Sequence, residues 1–165
     1  MPRIGIYATT MALIMLLVLG TFNSAVAGEK LKIKASATSI NTKWNQIEVG
    51  DVEGHVIGLY ENTQVWVDDI TGERMTGYNR GTMDFNTKTG QGTMFGYSVL
   101  TWPNGDKRYA SSEGKMVGKG KWEGTFTDID GTGKFKGTKG GGTWKSESLG
   151  RGISHIVAEG ERTLQ

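Results

Sequence analysis

The chain contains no cysteine, only two prolines and only two histidines in 165 residues. Without cysteine there is no disulfide framework, no metal–thiolate site, no cysteine nucleophile and no cysteine to carry a lipid anchor. The histidines, His55 and His155, lie far apart without metal-ligand spacing. Each reads as an ordinary strand residue, so neither a metal nor a cofactor is expected. Charge of one sign is also lacking, with 19 Lys+Arg against 17 Asp+Glu, which removes the electrostatic case for nucleic acid as a partner. No Asn-x-Ser/Thr site occurs. Ser24, Ser98 and Ser111 lack the Gly-x-Ser-x-Gly context of a nucleophile elbow.

Long apolar runs are scarce, with one exception at residues 11–19. As a helix that run rises about 14 Å, roughly half of a ~30 Å hydrocarbon core. Arg3 precedes it and the small-residue site Ala25-Val26-Ala27 follows, the pattern of a cleaved secretory leader. The expectation is a signal peptide over 1–27, cleavage after Ala27, and one domain over 28–165. Its destination is the periplasm or the medium, with no stable membrane anchor after cleavage. An exported domain without disulfides must hold itself together by its core and its backbone ladder.

What the chain has in abundance is glycine, 26 residues, more than twice the usual ~7%. Interleaved with tryptophan and β-branched residues, and almost without proline, this is not a linker composition. Few windows beyond the leader run ten residues without glycine, so helix signals are weak. Alternation with period two is the stronger signal. Along Lys121-Trp122-Glu123-Gly124-Thr125-Phe126-Thr127, the residues Trp122, Gly124 and Phe126 share one face and the polar residues share the other.

The same pattern predicts strands near 31–39, 43–49, 54–60, 64–67, 74–85, 92–102, 106–117, 120–128, 133–138, 142–147 and 154–163. Turn chemistry separates several of them: Asp68-Asp69-Ile70-Thr71-Gly72, Asn86-Thr87-Lys88-Thr89-Gly90, Pro103-Asn104-Gly105-Asp106 and Asp130-Gly131. Short strands at regular spacing form an antiparallel meander. A meander without obvious edge protection most simply closes on itself. The predicted fold is therefore all-β, a small antiparallel barrel of about eight strands (a calycin-like meander).

Two loop motifs are decoys. Gly133-Lys134 is followed by Phe135 and has no glycine five residues before it, which excludes a phosphate-binding P-loop. Asp128-Ile129-Asp130-Gly131-Thr132-Gly133 matches the first, third and sixth positions of a calcium loop, but the twelfth is Lys139 where a bidentate Glu is required. A turn explains the same residues, with Gly131 and Gly133 bending the chain between the Trp122 strand and a Phe135 strand.

That segment also carries a resemblance. Gly124-Thr125-Phe126-Thr127, followed by Gly131-Thr132-Gly133-Lys134-Phe135-Lys136-Gly137, resembles the "GTFT…GGTGKFxGxxG" signature of the allene oxide cyclase-like barrels, a group that includes dirigent proteins. Asp130 stands where the signature usually has its first glycine. The resemblance covers about 25 residues closely and, by strand layout, roughly residues 52–162. It implies an eight-stranded antiparallel barrel, with an apolar cavity in the enzymatic members, and transfers no activity, because its positions are mostly strand and turn glycines. Locally, Trp102-Pro103-Asn104-Gly105-Asp106-Lys107-Arg108-Tyr109 with Gly118-Lys119-Gly120 is similar to a MORN repeat. Such arrays need several copies, and only one good copy occurs.

Candidate site residues come from strand faces. Arg108 shares a face with Asp106, Ala110, Ser112, Gly114 and Met116. If that face points inward, Arg108 becomes a polar group in an apolar lumen and a candidate anion contact. Trp66, Phe95, Tyr97, Trp122, Phe126, Phe135 and Trp144 are candidate core. Trp122, Phe126, Phe135 and Trp144 join Arg108 as candidate ligand-binding residues. Asp51 and Glu53 read as solvated carboxylates near a strand start. No catalytic residue is identified. The reading is an exported barrel that binds a small apolar or amphipathic ligand without catalysis. A cyclase or isomerase of the resembled kind and an envelope interaction module are the alternatives, and homo-oligomerisation stays open.

Overall fold

Eight strands account for about three-quarters of residues 28–165, the part of the chain that the computed structural model describes. They are β1 Lys30–Glu48, β2 His55–Asp68, β3 Arg74–Asn86, β4 Gln91–Thr101, β5 Lys107–Gly118, β6 Lys121–Gly131, β7 Lys139–Gly150 and β8 Ile153–Thr163. Each pairs antiparallel with its sequence neighbour, and β8 returns to β1 through the register Lys30↔Thr163 to Ile40↔Ile153, closing the barrel. The predicted signal peptide lies outside the described residues.

The closed eight-stranded meander agrees with the expectation, while several boundaries differ. The segments 31–39 and 43–49 are one strand, continuous through a register shift between Asn41 and Lys43. Thr42 is the extra residue, and its hydroxyl donates to the Glu61 carbonyl at 3.0 Å. Likewise 54–60 and 64–67 are both β2, because Glu61, Asn62 and Thr63 stay in the ladder opposite Arg80, Asn79 and Tyr78. The strand predicted over 133–138 is absent. In its place Gly133–Phe135 forms a single 3-10 turn, and β7 begins only at Lys139.

Asp130 explains why this loop curls. Its Oδ1 accepts from the Gly131 N–H at 2.7 Å and the Gly137 N–H at 2.9 Å. These two amides hold the carboxyl below its usual range. Gly133 has φ +54, the left-handed region that favours glycine. Gly131 serves a different need, because a Cβ there would press on Phe135 and on the Lys107 carbonyl.

Alternation sorts the side chains. Phe95 and Tyr97, expected in the core, stand on the outer surface and are 43% and 56% exposed. The inward positions of β4 are Gly96, Ser98 and Leu100, and parity turns the two aromatics out, where they pack edge to face at 5.1 Å. The best-packed apolar cluster lies at the end carrying the 3-10 turn. Met75, Leu100, Trp102 and Phe135 are buried there, with Trp66 and Leu164 against them. The Trp102 and Phe135 rings meet at 4.1 Å. This cluster forms the floor of the barrel.

Candidate functional site

Above the floor the barrel is hollow. A lumen of about 390 Å³ runs toward the opposite end, where Asn41, Gly120, Ser148 and Gly152 rim its mouth. The volume lies within the range of small-molecule sites, about 300–1,000 Å³. Its two sides differ chemically. On β2 to β5 the wall mixes amide and hydroxyl groups, Gln64, Asn79, Ser98 and Ser112, with Met83 and Met94. Asn79 Nδ2 donates to Ser98 Oγ at 2.8 Å, and Gln64 Oε1 accepts from the Trp66 indole at 2.9 Å. On β6 to β8 the wall carries Trp122, Phe126, Trp144, Ile156 and Ala158, with Ser146, Ser148 and Ser154 toward the mouth. The Trp144 ring lies across Gly114, and its indole N–H donates to the Thr125 carbonyl at 3.0 Å.

Three charged side chains meet at the bottom of this space. Strand parity carries β6 inward through Trp122, Gly124 and Phe126 to Asp128, whose side chain has no exposed surface. A register shift between Tyr109 and Ala110 leaves Ile129 as the extra residue of β6. The shift sets Arg108 beside Asp128, with Nε 3.1 Å from Oδ1. Bulges of this kind re-aim side chains near functional sites. On the other flank, Gly140 is in register with both Asp128 and Arg162. A Cβ at Gly140 would stand 2.6 Å from the Arg162 Cα. Its absence lets Arg162 Nε reach Asp128 Oδ2 at 3.0 Å.

The cluster is incompletely satisfied. Arg162 Nη2 is buried with no partner, and the Arg108–Asp128 contact lacks hydrogen-bond alignment, so Arg108 Nε and Asp128 Oδ1 also remain unpaired. Two guanidinium groups face one carboxylate, leaving an excess positive charge in a desolvated place. Burial pulls the Arg108 guanidinium down to about 10; Asp128 opposes that shift and Arg162 adds to it. The group stays protonated at neutral pH. Each guanidinium also lies over an aromatic face, Arg108 over Phe126 at 5.2 Å and Arg162 over Phe135 at 5.4 Å. Asp68 borders the lumen as well, but its Oδ1 accepts the Ile70 and Thr71 amides of the β2–β3 turn.

Of the sequence-predicted residues, Arg108, Trp122, Phe126 and Trp144 all line the lumen. Phe135 sits in the floor beneath Arg162 and does not line it. Asp128 and Arg162 were not among the predicted site residues. The alternation that turned Trp122 and Phe126 inward reaches Asp128 two residues further on, and Ser154-Ile156-Ala158-Gly160-Arg162 carries the same signal. Tyr60 is another buried polar side chain, 1% exposed and outside the lumen lining, with a partnerless hydroxyl lying over Gly81 and Gly96. Burial raises its pKa well above the ordinary tyrosine value, so it stays a neutral donor.

His55, at the mouth end, lies between two carboxylates: Nδ1 is 2.7 Å from Asp51 and Nε2 is 2.9 Å from Asp84. Asp84 first, then Asp51, raise its pKa. Asp51 belongs to the β1–β2 loop, so this contact ties the loop to β3. Glu53 is exposed in the same loop and pairs with Lys88 at 3.0 Å. His155 is exposed on β8. Among the described residues no group of three or more His, Cys, Asp and Glu side chains is placed to hold a metal ion.

Comparison with solved structures identifies the architecture. The pterocarpan synthase dirigent protein GePTS1 superposes with a TM-score of 0.55 at 9% identity, over 88% of this chain and 94% of that one. The pterocarpan synthase dirigent protein PsPTS1 gives 0.51 at 11%, over 84% and 97%. AbnU, an exo-specific intermolecular Diels-Alderase, gives 0.53 at 14%, over 81% and 99%. The chain therefore has the dirigent-like, allene oxide cyclase-like barrel fold. At these identities the likeness establishes the fold alone. No protein-family model matches the sequence, and no curated protein matches it.

Proposed function

We propose that this protein is an exported barrel that binds one small amphipathic molecule inside its lumen. The observation that carries this reading is the hollow itself: about 390 Å³ bordered by aromatic rings and by amide and hydroxyl groups, with a charged cluster just above its floor. An eight-stranded barrel can be filled by its own side chains or can hold one small ligand. Here Trp144 lies across Gly114 and Tyr60 reaches over Gly81 and Gly96, so glycines let two bulky side chains lie against the wall. Arg3, the apolar run 11–19 and Ala25-Val26-Ala27 support export.

A second reading, cyclisation or isomerisation of a bound substrate, is favoured by one feature. Buried charges lie at one end of a chamber with aromatic side chains, the arrangement by which polar groups stabilise developing charge in a desolvated space. The solved barrels of the same fold include proteins described as pterocarpan synthases and a Diels-Alderase.

The test is titration with the neutral naphthalene dye Prodan, read by energy transfer from tryptophan. Binding should survive Tyr97→Ala on the outer face and disappear in Ala158→Phe, which fills the lumen. Equal binding by the filled variant, or loss only with Tyr97→Ala, would place the dye outside and refute the reading.

A further inference from the structure

We infer that the Arg108–Asp128–Arg162 cluster is an anion subsite, and that the lumen takes a planar aromatic or unsaturated monocarboxylate, carboxylate first. This rests on the lumen being a ligand site and adds the ligand's charge, shape and direction.

The charge follows from counting. Two guanidiniums and one carboxylate leave one positive charge, and the three side chains are nine-tenths or more buried. A buried charge is costly without a partner, and Asp128 supplies only half of what the pair requires. One further carboxylate would balance the cluster, whereas a dianion would overshoot it and a cation would add to the excess.

Both arginines border the lumen. Arg162 lines the lumen, and its Nη2 is buried without an acceptor. Arg108 lines the lumen beside it and has no aligned hydrogen bond to Asp128 from Nε. Guanidinium forks match carboxylate oxygens in pairs, and such charge-assisted bonds are about twice as strong as neutral ones. Asp128 has a positioning role: with Oδ2 on Arg162 and Oδ1 beside Arg108, it holds both forks at one level.

Direction and shape follow from the walls. Trp102 and Phe135 close the space below the cluster, so the ligand enters from the rim of Asn41, Ser148 and Gly152 and its head arrives first. Above the cluster, Trp122 and Trp144 line the lumen on one side and Asn79 and Ser112 offer polar groups on the other. A flat, apolar body with a few oxygen substituents suits that pair of walls better than a saturated chain.

The test compares three ligands with one ring system by calorimetry: naphthaleneacetate, naphthaleneacetamide and naphthylethylamine. Wild-type protein should prefer the acid over the amide on the order of tenfold, and bind the amine weakest. Arg162→Gln should bring acid and amide toward parity by lowering the acid's affinity more than the amide's. Arg108→Lys, which keeps the charge but loses the fork, should retain part of the preference. The wild-type comparison does not depend on any variant folding. Equal affinity for acid and amide in wild type, or strongest binding by the amine, would overturn the anion subsite while leaving the lumen a ligand site. Failure of all three to bind would overturn both.

Discussion

The two ends of the barrel are built from the same strands and do opposite things. At the floor, Met75, Leu100, Trp102 and Phe135 are all buried and touch across the axis. Lys107 N–H and Lys134 N–H tie the 3-10 turn to its neighbours through Thr132 Oγ1 and Asp106 Oδ2. At the mouth, Ser148 and Gly152 are exposed. Beyond Ile40, β1 leaves β8 and continues paired only with β2. A barrel with two floors would be a packed core, and one with two mouths would have little to hold it shut. Stability gathers at one end so that the other can stay open.

The largest expected effect tests that division. Phe135→Ala or Trp102→Ala should lower unfolding free energy by about 3–5 kcal/mol in urea titrations. Trp122→Ala, half-buried near the mouth, should cost about 1 kcal/mol. Equal losses at both ends would erase the distinction.

The next effect lies just above the floor. Asp128→Asn leaves two guanidiniums with no counter-charge and should cost about 3 kcal/mol, measured by the same titration. A neutral outcome would mean that the cluster is better solvated than its burial indicates.

Gly131→Val is smaller again, about 1–3 kcal/mol, because the added side chain would press on Phe135 and the Lys107 carbonyl. Calcium should leave the melting temperature of the wild-type protein unchanged. A rise with calcium that disappears in Asp128→Ala would make the loop a cation site instead of part of the floor.

The smallest effect belongs to the mouth. His55 has a raised pKa in the folded protein, so its contribution is full below its unfolded value of about 6.5 and is lost as pH rises through the raised folded value. Asp51 is lowered chiefly by His55, so its contribution is lost as pH falls through the carboxylate range. Thermal melts should therefore show a slight stability maximum between about pH 4.5 and 6.5. His55→Gln should flatten the decline above that window without changing the floor.

Sequence patterns carried the architecture further than the site. Alternation and turn chemistry gave the meander, because side-chain period and Asx-type turns are local properties. The Asn41-Thr42 bulge and the continuity of Asn62 and Thr63 in β2 were hidden, since a polar stretch inside a strand looks like a loop until its partner strand is known. The phrase G-K-F-K-G, similar to the true strand opening G-K-W-E-G, suggested a strand at 133–138. Asp130 and its two amide partners made a 3-10 turn there instead. Arg108 was legible as a lumen candidate from its face. Asp128 was masked by its place in a turn-like Asp-x-Asp-Gly run. Its ionic contact with Arg162, 34 residues away, depends on closure through Gly140, which no local pattern encodes.

The most direct test of an open lumen with a charged cluster above its floor is a crystal structure of the wild-type protein with naphthaleneacetate. The ring should lie inside the barrel between Trp144 and the Asn79 wall, with its carboxylate within hydrogen-bonding distance of the Arg162 and Arg108 guanidiniums. A ligand seated outside against Phe95 and Tyr97, or inside with its carboxylate at the Ser148 rim, would contradict the account.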